Sequence, residues 1–152
     1  MSTCKNHKTC VNETLKKVET ICKQKELKLT KLRQRVLKLI WKSHSYVKAY
    51  DLLEELKQID PAAKPPTIYR TLDFLMENGF IHKIQSLNAY IGCAHPNEHK
   101  ECYFLICKKC QNIEECCSEK IDKVVTSTTV KNNFKPNQVT FEISGVCQEC
   151  IN

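Results

Sequence analysis

The chain has 152 residues, a formal net charge of +7 and eleven cysteines, which allows one domain or two small ones. No run of about 18 apolar residues is present, so no membrane-spanning helix is expected. Residues 1–8 lack the apolar core of a secretion signal, so a cytoplasmic location is expected, where disulfides are rare and metal binding is the better use for many thiols.

Charge and cysteine divide the sequence in opposite ways. Residues 1–92 carry 17 Lys+Arg against 9 Asp+Glu, a net of +8, and three cysteines. Residues 93–152 carry 7 against 8, a net of −1, and eight cysteines. A basic module followed by a metal-rich one is expected, and a basic module has nucleic acid as its leading partner through phosphate contacts and counterion release.

In chain order, Val11, Leu15, Val18 and Cys22 fall at helical spacing and predict an amphipathic helix over 11–26. Thr30 caps a second helix with Leu32, Val36, Leu39 and Ile40 inward. A third begins near Ala49, turns Leu52, Leu53, Leu56 and Ile59 inward, and stops at Asp60-Pro61. Pro65-Pro66 opens a fourth, since proline suits the first helical turn. Its buried face is Ile68, Leu72, Leu75 and Met76, and Gly79 ends it in a left-handed conformation. At about 100° per residue Arg70 lies opposite that face, with Thr67 nearby and Tyr69 on the flank. Two short strands, 81–85 and 89–92, complete a winged helix-turn-helix, whose exposed arginine near a helix N-terminus is what a recognition helix requires.

Residues 92–101 read as a hinge holding Cys93, His95 and His99. Beyond it, Cys102 to Cys107 predicts a buried strand, and Asn112 to Cys116 a second. Ser118 caps a helix over 119–131 with Ile121, Val124 and Val125 inward. Gln138 to Ser144 alternates with Val139, Phe141 and Ile143 inward. The fold class is therefore α+β: a winged-helix domain over 1–91 with residues 1–10 as a tail, the hinge, and a small α/β domain over 102–152. The early Cys4, His7 and Cys10 are set aside with that tail.

Two Cys-x-x-Cys units, Cys107–Cys110 and Cys147–Cys150, flank the last domain. Two such units supply four thiolates, the ligand set of a closed structural zinc site, and the metal closes the loop between them. A redox dithiol is the alternative, but the thioredoxin-like βαβ context that such a motif needs is missing. With three glycines in the chain, a glycine-rich phosphate loop is excluded, and no Gly-x-Ser-x-Gly unit occurs. An enzyme is not expected.

Leu29-Thr30-Lys31-Leu32-Arg33, Ala49-Tyr50-Asp51-Leu52-Leu53, the stretch from Lys64 to Leu75, Gly79-Phe80-Ile81-His82-Lys83 and the paired Cys-x-x-Cys turns resemble the Fur superfamily of bacterial metal-sensing repressors, most nearly its zinc-sensing branch. The resemblance covers nearly the whole chain beyond about residue 10. It implies a homodimer that binds operator DNA and represses zinc-uptake genes with zinc as co-repressor. It implies two zinc ions per subunit. Cys107, Cys110, Cys147 and Cys150 hold the structural ion; His82, Cys93, His99 and Glu115 hold a regulatory one. The spacing before the first zinc turn departs from the family pattern, so His95 and Cys102 compete with His99, and Glu114 with Glu115. The resemblance also implies DNA contacts by Tyr50, Tyr69 and Arg70, with Lys64, Thr67 and Lys83 at phosphates. An iron, manganese or peroxide sensor is the sibling reading; the thiolate of Cys93 argues against it, because manganese and similar hard ions prefer oxygen.

Overall fold

The computed structural model describes residues 7–43, 45–96, 102–137 and 139–151. The chain divides into two compact units, Ser2–Asn97 and Glu98–Asn152.

The first unit is built from four helices and a hairpin. Helix α1 spans His7–Gln24 and starts earlier than the expected residue 11. Helix α2 spans Lys31–Lys42. The Thr30 hydroxyl accepts a hydrogen bond from the Arg33 N–H at 3.3 Å, a cap whose loss costs about 1 kcal/mol. Helix α3, Ala49–Lys57, ends two residues before Ile59. That side chain is 56% exposed instead of turned inward, because the chain leaves helical geometry before reaching it. Helix α4, Pro65–Glu77, places its two prolines at the first helical positions, where their missing N–H groups leave no bond unmade. Gly79 then takes a φ of 68°, which a side chain would strain. Leu37, Ile40, Leu52, Leu56, Ile68, Leu72, Leu75 and Phe80 are almost wholly buried and join the helices into one core.

Strands β1 (Ile81–Ile84) and β2 (Ala89–Gly92) form the antiparallel wing, with His82 opposite Ile91 and Lys83 opposite Tyr90. One turn of 3-10 helix, Gln85–Leu87, joins them, and Asn88 closes it at a φ of 46°. Val47 pairs with Tyr90, so the segment before α3 is tied to the wing by two backbone hydrogen bonds of 2.9 and 2.8 Å.

The second unit is a three-stranded sheet in the order β4-β3-β5. Strand β3 is Cys102–Cys107, β4 is Ile113–Cys117 and β5 is Phe141–Gly145. β4 runs antiparallel to β3, whereas β5 runs parallel to it. That parallel return needs a crossover, supplied by helix α5, Glu119–Lys131, whose N-cap Ser118 accepts from the Lys120 N–H. A short helix α6, Gln148–Ile151, ends the chain.

Two expectations fail in this unit. Val124 is 60% exposed, and Phe141 and Ile143 are also exposed, so the helix and last strand do not turn these groups into a core of the single chain. Among the described residues of the unit, the buried hydrophobic ones are Phe104, Ile106, Cys107 and Ile113, too few for independent stability in so short a segment. The expected absence of disulfides is also overturned: Cys102 and Cys117 are bonded across β3 and β4. The register sets them directly opposite each other, which brings the two Cβ atoms within bridging reach. Among the described residues, no helix is long and apolar enough to cross a membrane.

Candidate metal centre and nucleic-acid surface

The first Cys-x-x-Cys turn follows β3 directly. Cys107 N–H bonds to Asn112 O at 2.9 Å and Gln111 N–H to Cys107 O at 2.9 Å, with Gln111 at a φ of 59°. The second turn follows β5 and enters α6, where Cys150 N–H bonds to Cys147 O at 2.9 Å. Because β5 lies parallel to β3, both turns leave the sheet at the same end. Lys108 N–H bonds to Gly145 O at 2.8 Å, and the Lys109 ammonium to Cys150 O at 2.7 Å. The chain thus sews the two turns together with backbone groups before any metal is considered.

The four sulfurs of Cys107, Cys110, Cys147 and Cys150 lie within 4.8 Å of one another. The Cys110 and Cys147 sulfurs are 3.7 Å apart. A tetrahedral zinc with Zn–S near 2.3 Å needs sulfur–sulfur edges of about 3.8 Å, so the donor set fits that ion. Backbone N–H groups of Cys110 and Cys147 point at the Cys107 sulfur and hold its thiol down at about 6. Hydrogen bonding to the Cys147 thiol, then to Cys110, pushes Cys150 up to about 12. Cys107 is thus biased toward the thiolate that a metal requires, whereas Cys150 must give up its proton to a cation.

In the first unit, Cys93 extends β2 by one residue, its N–H bonding to Phe80 O at 3.0 Å. Its thiol is buried and lies within 4.8 Å of a half-buried His82 ring nitrogen. A thiol and an imidazole at that distance from adjacent strands can share one cation. His95 is exposed, and His99 lies outside the described residues. In the second unit Glu114 is exposed and Glu115 half-buried, on opposite faces of β4.

The backbone behind Cys93 leaves no room for change. A Cβ placed on Gly92 would run into the indole ring of Trp41, a buried residue of α2. Gly92→Ala is expected to push strand β2 off α2 and to destabilise the first unit by about 1–3 kcal/mol, the usual cost of overpacking. Thermal unfolding checks this; an unchanged melting temperature would contradict it.

The residues expected to face DNA all lie on the first unit. Tyr50 is 69% and Tyr69 52% exposed, and Thr67 and Arg70 are exposed on α4. Exposed Lys64 precedes that helix as its N-cap. Tyr50, Tyr69, Lys83 and Lys48 line one open depression of about 210 Å³. Thr67 and Arg70 line another with Lys28, Thr30 and Arg33, three cations and no carboxylate. Lys28, Lys48 and Arg33 were not assigned to DNA contact from the sequence. The guanidinium of Arg33 lies 3.4 Å over the Phe74 ring, a contact between α2 and α4 that spacing within either helix cannot reveal. The run of lysines before α2, Lys23, Lys25 and Lys28, was the available signal for Lys28.

A winged helix presenting an arginine and two tyrosines, followed by a four-sulfur metal knot, defines a metal-binding DNA-binding protein. The chain belongs to the Ferric uptake regulator family, whose sequence profile matches residues 24–144. It is 38% identical to the zinc uptake regulation protein of Escherichia coli (strain K12) over 146 residues, 95% of this chain and 85% of that protein. Identity to the ferric uptake regulation protein of Campylobacter jejuni is 29% over 142 residues, 91% of this chain and 88% of that protein. A solved zinc uptake regulator in complex with zinc and DNA superimposes with a TM-score of 0.87 at 36% identity, covering 93% of this chain and 95% of that one.

Proposed function

We propose that this chain is a zinc-responsive, sequence-specific DNA-binding repressor that controls zinc-uptake genes with zinc as co-repressor. The observation that carries the reading is the exposed Tyr69-Arg70 pair on α4, set beside Tyr50 and Lys83 on a basic unit. Arginine can bond two acceptors of guanine in the major groove, and a tyrosine ring can pack on a thymine methyl. Lys64 and Thr67 meet phosphate at the helix entry, where free backbone N–H groups also point outward. The likeness to a zinc uptake regulator bound to zinc and DNA supports this use of the surface.

Each subunit holds two zinc ions in this reading. One is the structural ion of Cys107, Cys110, Cys147 and Cys150. The other is regulatory and takes His82, Cys93, His99 and Glu115, with His95 or Cys102 as alternatives to His99 and Glu114 as the alternative to Glu115. The second set draws on both sides of the hinge at 92–101, between a DNA-reading domain over 1–91 and a dimerisation domain over 102–152. An ion that binds one arrangement of the two preferentially shifts the population toward it. The thiolate of Cys93 suits zinc better than the oxygen-preferring ions of the sibling sensors. The mutual approach of all four sulfurs of the Cys-x-x-Cys pairs disfavours a thiol oxidoreductase, which needs one free dithiol.

The apolar surface of the second unit supports a homodimer. Val124, Val130, Phe134, Phe141 and Ile143 are exposed on a unit that buries few apolar groups. A second copy covering those side chains would complete the core that a single chain lacks.

Arg70→Ala is expected to weaken binding to an operator, selected by the protein from random duplexes, by about 1–3 kcal/mol, or roughly 5- to 150-fold. Zinc content and dimer mass should not change. Equal affinity in a gel shift at fixed salt would remove Arg70 from the reading surface.

A further inference from the structure

The bond between Cys102 and Cys117 has no part in the function argued so far. The two residues face each other across β3 and β4 with Cα atoms 4.1 Å apart. Alternation along a strand puts Glu115, two residues from Cys117, on the same side of the sheet. The Cys117 sulfur lies 4.0 Å from Glu115 Oε1. One donor atom from each of Cys102, Glu115 and Cys117 falls within 4.8 Å of the others. Cys116 projects to the other face, beside Tyr103.

We propose that Cys102 and Cys117 form a reversible dithiol–disulfide couple that governs a third metal site on this hairpin. In the reduced chain, the two thiolates and the Glu115 carboxylate take up a thiophilic divalent cation such as zinc, with water as fourth ligand. In the oxidised chain the site is closed. Two thiolates and a carboxylate are a donor set that zinc accepts in tetrahedral geometry. Sulfurs already joined in a disulfide carry no thiolate charge and cannot hold the ion.

The chemistry needs one oxidant and one reductant. A hydroperoxide supplies the first: one thiolate attacks the peroxide oxygen, the O–O bond breaks, and a sulfenic acid forms as the leaving oxygen takes up a proton. The second thiol then attacks that sulfur, the S–S bond forms and water leaves. Two electrons pass from the thiols to the peroxide. A dithiol returns them by exchange, through a mixed disulfide, and itself becomes oxidised. The pairing is preset by the strand register, so the second thiol always stands beside the first.

Glu115 also belongs to the proposed regulatory set, so the site is tested in Cys93→Ser, which removes the regulatory thiolate. The probe is cobalt(II), added to the full chain with its structural zinc in place. Protein reduced by a water-soluble phosphine is expected to take up one equivalent with a thiolate-to-cobalt charge-transfer band. Treatment with one equivalent of hydrogen peroxide should remove that band and at least tenfold of the affinity. It should also yield a linked peptide pair containing Cys102 and Cys117. Adding Cys102→Ser should abolish both band and linkage. Uptake that survives oxidation or Cys102→Ser, or oxidised protein without the linked peptides, overturns the proposal. None of these readouts involves DNA, so failure of the repressor reading would leave them unaffected.

Discussion

Cys107→Ser is expected to cost the chain its structural zinc and, with it, the cooperative folding of the second unit. Apparent binding of structural zinc is worth about 10–16 kcal/mol near neutral pH, and that free energy is folding free energy where the apo unit is not stable alone. Here it would not be. Phe104, Ile106 and Ile113 are the buried apolar groups beside Cys107 itself, while α5 and β5 leave much of their apolar surface exposed. Cys107 is the worst of the four ligands to lose, being buried and the one whose thiolate is favoured by the backbone N–H groups of Cys110, Cys147 and Lys109. The first unit has its own core across α1 to α4 and the wing, so helical circular dichroism should persist in part. Metal content and chain mass in solution check the outcome. Loss of zinc with loss of the dimer is expected; full zinc content and an unaltered melting curve would show that the four sulfurs do not hold the ion.

Cys93→Ser acts elsewhere. It should leave the structural zinc and the dimer in place and remove the response of DNA binding to zinc. Serine keeps the size of the side chain and its backbone bond to Phe80, but it offers no thiolate. Altering residues that merely orient a metal ligand already costs about 10- to 100-fold in affinity. A direct ligand should cost at least that, moving the zinc midpoint for operator binding upward by about two decades or beyond reach. A dimer that falls apart in this variant would show Cys93 to be structural. An unmoved midpoint would take it out of the regulatory set.

Elements whose boundaries depend on local chemistry could be read from the sequence alone. Thr30 and Ser118 cap the helices expected of them, Pro65-Pro66 opens α4, and Gly79 closes it with the left-handed φ that glycine tolerates. The paired Cys-x-x-Cys turns pointed to a cluster of four sulfurs, and the structure brings those sulfurs within 4.8 Å of one another. What stayed hidden depends on partners far along the chain. Alternation correctly gave Phe141 and Ile143 one face of β5, but not whether the same chain covers that face. The Cys102–Cys117 pairing follows from strand register, which depends on where the turn after Cys107 closes. The contact of Gly92 with Trp41 and the stacking of Arg33 on Phe74 join separate elements that no periodicity within one of them reports.

The most direct test counts zinc per subunit while operator binding is followed across a series of buffered free-zinc concentrations. With the Cys102–Cys117 bond formed, so that the third site is closed, the account predicts one ion retained throughout and a second whose uptake coincides with the rise in DNA affinity. One ion per subunit, with DNA binding indifferent to free zinc, would contradict it.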